Sequence, residues 1–308
     1  MTTPRLPLAF LEHVFVAEDP VAFPRWSGPL WHGVLGKALR DLHCVMSDTS
    51  CPACPLLHGC GYPYLFQRIA PPGSEMMANK PVPVPHVLRP LFQEEVASPG
   101  DVVPLGLVLV GDAAARWRHM LAALRRAGQA GLGRRRGRLR LLEVNQVRLD
   151  SDMSIALWAE GETPTAEAAA AIPVPIPCPS RARLTLLTPY RPGAARAPFD
   201  AARFAMAVVR RVSLLQYFYT GKRLTADFKA LKAQAARIET GGPRFRWCRD
   251  KRFSARHDDI ANTSGWLGEC HLHLSGAEAL WPYLWLGQWL GVGKNASMGF
   301  GWYALAGE

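Results

Sequence analysis

Long apolar runs are missing from this chain of 308 residues. No stretch approaches the roughly 18 consecutive apolar residues that a membrane-spanning helix needs, so a membrane protein is not expected. The opening residues, MTTPRLPLAFLEHVFV, contain Glu12 and His13 within their apolar part and have no convincing cleavage site, which argues against a secretory signal. We therefore expect a cytoplasmic protein that has no membrane partner.

Acidic residues are also in short supply. Lysine and arginine together number 36, whereas aspartate and glutamate number 25, and the net charge is +11. The excess is concentrated: residues 210–256 contain 13 basic and 3 acidic side chains, and the segment GRRRGRLR begins at Gly133. A basic surface of this kind favours a polyanionic partner, and nucleic acid is the partner we expect.

Disulfide bonds are rare in the cytoplasm, so the seven cysteines require another explanation. Four of them, Cys44, Cys51, Cys54 and Cys60, have the spacing C-x6-C-x2-C-x5-C. The C-x2-C pair presents two thiolates to one ion, and the other two complete a tetrahedral set, which predicts a structural zinc site. An iron–sulfur cluster is the second interpretation, and buried or reactive thiols are the third. Four protein ligands leave no open position for water, so we expect no catalytic role for the metal.

The two halves of the chain contain the same order of predicted elements. In the second half, the strand pattern of RARLTLLTPYRP is followed by a helix that begins after Asp200 and ends before Gly221. A strand over residues 244–257, a second strand over residues 265–276, a helix with Pro282 in its first turn and a last strand complete this half. The first half follows the same order more loosely, with Ser27 at the start of its first helix. The order β-α-β-β-α-β predicts an α+β protein of two tandem ferredoxin-like (RRM-like) units.

This repeat sets the predicted domain boundaries. Residues 1–150 form the first unit, which contains a cysteine-rich insertion at 44–66. The Ala- and Pro-rich residues 151–180 are a strand extension and linker. Residues 181–308 form the second unit. Hydrophobic residues make up 49% of the chain, which is enough to bury two cores.

A glycine-rich loop precedes the last strand of each predicted unit. Near the C-terminus, LGVGKNASMGFGWYAL contains Lys294 among four glycines. A Walker loop is excluded because Asn295 follows the lysine, and a dinucleotide fingerprint is excluded because a helix precedes the glycines and a strand follows them. The first unit contains Gly131-Leu-Gly133-Arg134 at the same place. The duplication weakens the interpretation of either loop as a simple glycine turn.

Taken together, these motifs resemble those of a known family. Tandem ferredoxin-like units with a G-x-G-[KR] loop resemble the repeat-associated (RAMP) proteins of CRISPR systems, and within them the CRISPR RNA-processing endoribonucleases. WHGVLGKALRDLHC, a cysteine loop and the aromatic pair Tyr62 and Phe66 resemble the family's first helix and its continuation. Thr188 and Pro189 resemble its Thr-Pro strand. An Arg-x-Ser-x-Arg segment before a Gly-x-x-Gly strand is matched by Arg252, Ser254, Arg256, Gly265 and Gly268.

The resemblance implies binding of CRISPR repeat RNA and one metal-independent cut per repeat. In that chemistry the ribose 2′-hydroxyl attacks the adjacent phosphate, leaving a 2′,3′-cyclic phosphate and a 5′-hydroxyl. Histidine suits the proton transfers because its pKa lies near neutrality, and Lys or Arg suits the charge on the phosphorane. The implied partners are CRISPR repeat RNA, the mature crRNA and subunits of a CRISPR effector complex, and catalysis needs no cofactor.

One departure from the family affects the catalytic residues. Many relatives have a histidine just before the glycine loop, where this chain has Gly291. We expect His32, on the first helix, to be catalytic, because other branches of the family keep their histidine there. His257 is the second candidate for the catalytic residue. Tyr64 and Lys37 are candidates to assist catalysis, and the only reason to choose them is that they lie near His32 in the sequence. The residues expected to contact RNA are Arg134, Arg135, Arg136, Lys251, Arg252, Arg256 and Lys294.

Each of these assignments has an alternative. His32 can be an ordinary helix-surface histidine, and His257 can contact an RNA phosphate. Phe245, Trp247 and Phe253 alternate with arginines and are either stacking platforms for bases or core residues. The missing histidine also favours a second function, that of a non-catalytic RAMP subunit which holds the crRNA inside an effector complex.

Overall fold

The computed structural model of the chain describes residues 3–151, 153–193, 197–254 and 259–308. The helices are α1 (Gly28–His43), α2 (Gly61–Phe66), α3 (Trp117–Ala130), α4 (Ala201–Thr220), α5 (Phe228–Ala235) and α6 (Trp281–Leu290). The strands are β1 (Leu8–Ala17), β2 (Val21–Ala22), β3 (His86–Pro90), β4 (Val96–Ala97), β5 (Val102–Val110), β6 (Leu139–Val147), β7 (Ser154–Ala159), β8 (Arg181–Tyr190), β9 (Glu239–Cys248), β10 (Lys251–Ser254), β11 (Asp259–Asn262), β12 (Gly265–His273) and β13 (Tyr303–Gly307). Within these ranges, no helix is long and apolar enough to cross a bilayer.

The chain divides into two compact units. The N-terminal unit comprises Leu6–Pro173 and Leu214–Lys222. Of the described residues, the C-terminal unit comprises 3–5, 174–193, 197–213, 223–254 and 259–308. The end of α4 is therefore grouped with the N-terminal unit.

The N-terminal unit contains an antiparallel sheet with the strand order β3-β5-β1-β6-β7. Its first strand lies between the third and the fourth strand of the β-α-β-β-α-β series, as in a ferredoxin-like unit. In β1, Leu11, His13 and Phe15 are buried and their neighbours are half-buried, because successive side chains point to opposite faces. Strand β7 extends the sheet beyond β6.

Helices α1 and α3 pack against each other in the N-terminal unit. The buried residues Trp31, Leu35 and Leu39 recur along α1 at the spacing of one helical turn. Pro29 is accepted in the first turn, where a missing N–H removes no helical hydrogen bond. His32 is next to the buried stripe and is half-buried. Packing of α1 thus places this histidine at the margin of the core.

The C-terminal unit repeats the topology with the strand order β13-β8-β12-β9, again antiparallel throughout. Asp200 caps α4: its carboxylate accepts a hydrogen bond of 3.0 Å from the N–H of Arg203. The helix ends before Gly221, whose φ is +65°. Pro282 lies in the first turn of α6, as predicted. The tandem ferredoxin-like α+β fold is confirmed.

The predicted single strand over residues 244–257 is wrong. Strand β9 ends at Cys248, and β10 pairs with β11 in a separate two-stranded sheet. Asp250 accounts for the break, because its N–H donates to the hydroxyl of Ser264 at 2.9 Å and its carboxylate accepts from the hydroxyl of Thr263 at 2.6 Å. These two hydrogen bonds attach Asp250 to the residues that directly precede β12. Asp250 lies between β9 and β10, so the strand is interrupted there.

Two helices were not predicted. Helix α5 begins after Asp227, whose carboxylate accepts a hydrogen bond of 2.9 Å from the N–H of Ala230. Helix α2 forms the end of the predicted cysteine-rich insertion, and it buries Tyr62, Leu65 and Phe66.

Candidate functional site

The glycine loop of the C-terminal unit folds back onto the end of β8. Gly291 follows α6 with a φ of +62°, and its N–H donates to the carbonyl of Gly287 at 3.0 Å. Gly293 has a φ of +87°, and a Cβ there would lie 2.5 Å from the carbonyl oxygen of Arg191. The N–H of Lys294 donates to that same oxygen at 3.1 Å, and its side chain is exposed. The two glycines thus permit a turn that presents Lys294 to solvent.

Thr188 of β8 joins this loop to the last strand. Its hydroxyl donates to the carbonyl of Gly299 at 2.7 Å and accepts from the N–H of Trp302 at 2.9 Å. The N–H of Gly301 donates to the carbonyl of Pro189 at 3.1 Å. The Thr-Pro pair therefore supports the loop that carries Lys294.

The N-terminal unit contains a loop of the same construction. Gly131 follows α3 with a φ of +83°, and its N–H donates to the carbonyl of Gly128 at 3.1 Å. Gly133 has a φ of +72°. Leu132 and Gly137 exchange backbone hydrogen bonds of 2.8 and 3.1 Å, which close the loop. Both loops thus begin with two glycines of positive φ that are separated by one residue.

The arginines of this N-terminal loop differ in their partners. Residues 134–136 are exposed, and no acidic side chain in the described parts of the chain forms an ion pair with them. In contrast, Arg138 pairs with Asp19 at 2.8 Å, and Arg140 pairs with Glu160 at 2.6 Å. The three predicted RNA contacts are therefore the arginines whose charge is not neutralised by a neighbour.

His32 lies on α1 and packs against two other rings. Its ring centroid is 4.2 Å from that of Phe66, with the planes 30° apart, and 5.7 Å from that of His86. The residue as a whole is half-buried. The catalytic role predicted for His32 stays a prediction.

Tyr64 lies between two guanidinium groups. The Cζ atoms of Arg68 and Arg116 are 4.8 and 4.3 Å from its ring centroid, and Tyr219 packs edge-on at 5.7 Å. Burial raises the pKa of Tyr64, and the two arginines oppose this shift. The phenol is therefore protonated at neutral pH. In this form it can act as a proton donor, but it cannot act as a general base.

Lys37, the other predicted assistant, is exposed on α1. Its ammonium pairs with the carboxylate of Asp41 at 2.7 Å, one helical turn further on. An exposed pair of this kind is weak, so the charge of Lys37 remains accessible to an anionic ligand.

His43 and His119 form a pair that sequence reasoning missed. Their ring centroids are 4.9 Å apart, and they lie on α1 and α3. Burial is the main cause that lowers the pKa of both, and the nearby charge of Arg116 acts in the same direction. No sequence pattern connects His43 with His119, because the two residues are far apart in the chain and meet only through the packing of α1 against α3.

The four cysteines of the predicted zinc site, Cys44, Cys51, Cys54 and Cys60, are half-buried free thiols. In the described part of the chain, no group of three or more His, Cys, Asp or Glu side chains is placed to hold a metal ion. The Sγ of Cys60 contacts the carbonyl oxygen of His43 at 3.9 Å. The positions of the four thiols therefore do not support a zinc site. The predictions of zinc and of an iron–sulfur cluster depend only on the spacing of the cysteines in the sequence.

Part of the predicted basic surface falls outside the described residues. Arg256 and His257 are not among them. Lys251 and Arg252 lie on β10, and only their backbone is described. Their RNA contacts, and the catalytic role of His257, stay predictions.

Two of the candidate stacking residues are covered on one side by their own unit. Phe245 packs against Phe199 with centroids 4.4 Å apart, and Trp247 packs against Trp266 at 5.1 Å. Both are half-buried on the edge strand β9. They belong to the margin of the core, which leaves at most one face of each ring for a base.

Comparison with known proteins agrees with this architecture. A family model described as an N-terminal domain matches residues 6–170, and that of the CRISPR-associated endoribonuclease Cas6 matches residues 184–303. No curated protein matches the chain by sequence.

Solved structures resemble the whole chain. Cas6 (TTHB231) of Thermus thermophilus, in a product complex, is 19% identical, with 98% of this chain and 100% of that chain covered and a TM-score of 0.56. Cas6 (TTHA0078), also in a product complex, is 16% identical over 97% of this chain and 99% of that one, with a TM-score of 0.52. A partial Cas6-RT-Cas1–Cas2 complex matches 100% of this chain and 47% of its own at 15% identity and a TM-score of 0.57. These likenesses concern the fold, and residues 184–303 of the chain resemble the CRISPR-associated endoribonuclease Cas6 family.

Proposed function

We propose that this protein binds CRISPR repeat RNA and cleaves the precursor once per repeat to produce guide RNA. The match of residues 184–303 to an endoribonuclease family is the observation that carries the proposal. The product complexes of the two Cas6 structures with the same fold support an RNA substrate for this chain as well. Association with subunits of CRISPR complexes is a further part of the proposal, supported by the Cas6-RT-Cas1–Cas2 relative.

The proposed reaction is a metal-independent transesterification. The 2′-oxygen forms a bond to phosphorus while the bond from phosphorus to the 5′-oxygen breaks, which leaves a 2′,3′-cyclic phosphate and a 5′-hydroxyl. The 2′-hydroxyl loses a proton to a base, and the leaving 5′-oxygen gains one from an acid. His32 is the residue we propose for proton transfer, because it is half-buried at the margin of the core and carries an imidazole, the group that most often transfers protons in enzymes.

Each glycine loop supplies cationic side chains for the RNA backbone in this proposal. Lys294 is exposed on one loop, and residues 134–136 are exposed on the other. Such contacts position the RNA without reading its sequence, and they make binding depend on salt.

A non-catalytic crRNA-binding subunit is the second candidate function. The observation in its favour is Gly291, which occupies the place of a histidine in many relatives. A Cβ at Gly291 would lie 2.8 Å from the carbonyl oxygen of Phe300, and its φ of +62° is strained for any other residue. This loop conformation therefore requires glycine, and a histidine is not accommodated there.

Cleavage of the protein's own repeat RNA in the presence of EDTA distinguishes the two functions. We expect a single cut and a cyclic phosphate end. His32→Ala is expected to lower the single-turnover rate by about 100-fold or more while RNA binding is retained. The matched control is His273→Ala, which removes an exposed histidine from β12. RNA that binds without being cut would contradict the enzyme, and unchanged cleavage by His32→Ala would contradict the assigned residue.

A further inference from the structure

His32, Phe66 and His86 form a cluster of three rings, which we call the ring cluster. The centroid of Phe66 is 4.2 Å from that of His32 and 5.8 Å from that of His86. The planes of Phe66 and His86 are 17° apart, and those of Phe66 and His32 are 30° apart. Each ring therefore contacts the other two, and His32 is the member that is half exposed.

Gly36 makes room for the ring cluster on α1. It lies one helical turn after His32, on the same side of the helix. A Cβ at Gly36 would lie 2.3 Å from Cζ and 2.4 Å from Cε1 of Phe66. Glycine inside a helix costs about 1 kcal/mol relative to alanine, and Gly36 is not among the glycines of positive φ. The close approach of Phe66, and not the backbone, therefore explains this glycine.

His86 fixes Phe66 from the other side. It lies on β3 and is completely buried. Its Nδ1 is 2.8 Å from the carbonyl oxygen of Leu65, and since a carbonyl only accepts, Nδ1 is the protonated nitrogen. Leu65 directly precedes Phe66, so this hydrogen bond ties the end of α2 to the sheet. The ring of Phe66 is thus held between a buried strand and a gap in α1.

We propose that Phe66, supported by His86, is a positioning residue that orients the imidazole of His32 for proton transfer. The inference rests on the proposed function of His32. A histidine ring turns easily about its terminal torsion, and proton transfer requires its nitrogen within about 2.6–3.2 Å of the reacting oxygen. Phe66 has no group that exchanges protons, so it acts through His32. A misplacement of about 1 Å is enough to lower a rate about 100-fold.

Phe66→Leu tests this role by separating cleavage from binding. We expect the single-turnover rate constant to fall by about 10- to 100-fold. The Kd for uncleaved repeat RNA is expected to stay within about threefold, because the lost contact acts on the chemical step. Phe92→Leu is the matched control, a half-buried phenylalanine of the same unit outside the ring cluster.

A double-mutant cycle separates positioning from a general structural effect. In the His32→Ala background there is no imidazole to orient, so Phe66→Leu is expected to cause no further loss of the residual rate. An equal loss in both backgrounds would overturn the proposal. Gly36→Ala, whose Cβ displaces Phe66, is expected to act as Phe66→Leu does. Its control is Gly33→Ala, at an exposed position of the same helix.

NMR of the imidazole tests the orientation without any cleavage. The His32 ring resonances, assigned by their disappearance in His32→Gln, are expected to carry a ring-current shift from Phe66 and to lose it in Phe66→Leu. Resonances that do not move would overturn the proposed positioning. If the wild-type protein binds but does not cut repeat RNA, the proposed function fails, and the NMR result still decides whether Phe66 orients His32.

Discussion

The hydroxyl of Thr188 donates a hydrogen bond of 2.7 Å to the carbonyl oxygen of Gly299 and also accepts the N–H of Trp302. One side chain thereby satisfies two backbone groups between the glycine loop and β13. Thr188→Val keeps the shape of the side chain but removes its hydroxyl, so the carbonyl of Gly299 and the N–H of Trp302 lose this hydrogen-bond partner. We therefore expect the free energy of unfolding to fall by about 1–3 kcal/mol. Urea unfolding measures the change. Thr188→Ser keeps the hydroxyl and serves as the control, and a valine variant as stable as the wild type would contradict the role of the bond.

Residues 134–136 are expected to carry more RNA affinity than their basic neighbours. The double variant Arg134→Gln/Arg135→Gln should lower the slope of log Kd against log salt by about 1.4, since each lost contact to single-stranded RNA removes about 0.7. The measurement is a set of binding titrations at several salt concentrations.

The matched control for those two arginines is Arg138→Gln/Arg140→Gln. It removes the same charge from side chains that are already paired with Asp19 and Glu160. We expect its effect on the slope to be less than half as large. If both double variants have the same slope of log Kd against log salt, the ion pairs do not prevent Arg138 and Arg140 from contacting the RNA, and the prediction is wrong.

His13 is expected to make stability depend on pH. Burial in β1 lowers its pKa to about 3, whereas the unfolded chain titrates near about 6.5. The unfolded state therefore binds more protons between these values, so the free energy of unfolding decreases as the pH falls below the higher one. From about pH 7 to about pH 5 this amounts to about 2 kcal/mol.

Urea unfolding of His13→Leu at the two pH values measures this contribution. The variant should lose about 2 kcal/mol of the pH dependence, whereas the control His273→Gln, at an exposed position, should keep it. The lowered pKa values of His43 and His119 act in the same direction in all three proteins, so they cancel in the comparison. A pH dependence unchanged in His13→Leu would refute the assignment.

The cysteine spacing predicts bound metal. Elemental analysis of the purified protein is expected to give about one zinc per chain, held by four thiolates. Cys51→Ser/Cys54→Ser should lose the metal, and Cys178→Ser, far from the cluster in sequence, should retain it. Wild-type protein with neither zinc nor iron would refute both metal interpretations.

Local rules account for the parts of the fold that were predicted. The alternation in β1, the cap at Asp200 and the glycine after α4 each depend on residues next to one another in the chain. The helix-to-strand glycine loops were found for the same reason. The break between β9 and β10 was missed because Asp250 is bound by Thr263 and Ser264, which lie on the far side of a hairpin. Helix α5 has only eight residues, which is too short for apolar periodicity to indicate a helix.

The sequence by itself determined the β-α-β-β-α-β order of the main elements in each unit, the two glycine loops and the glycine at position 291, because propensity, periodicity and positive-φ positions are local. Only the tertiary structure decided which arginines keep an unpaired charge and what surrounds His32. Arg138 is neutralised by Asp19, and His32 contacts Phe66 and His86, which come from other elements. Charge pairing and ring packing act over a few ångströms in space, so folding must first bring distant segments together before either can exist.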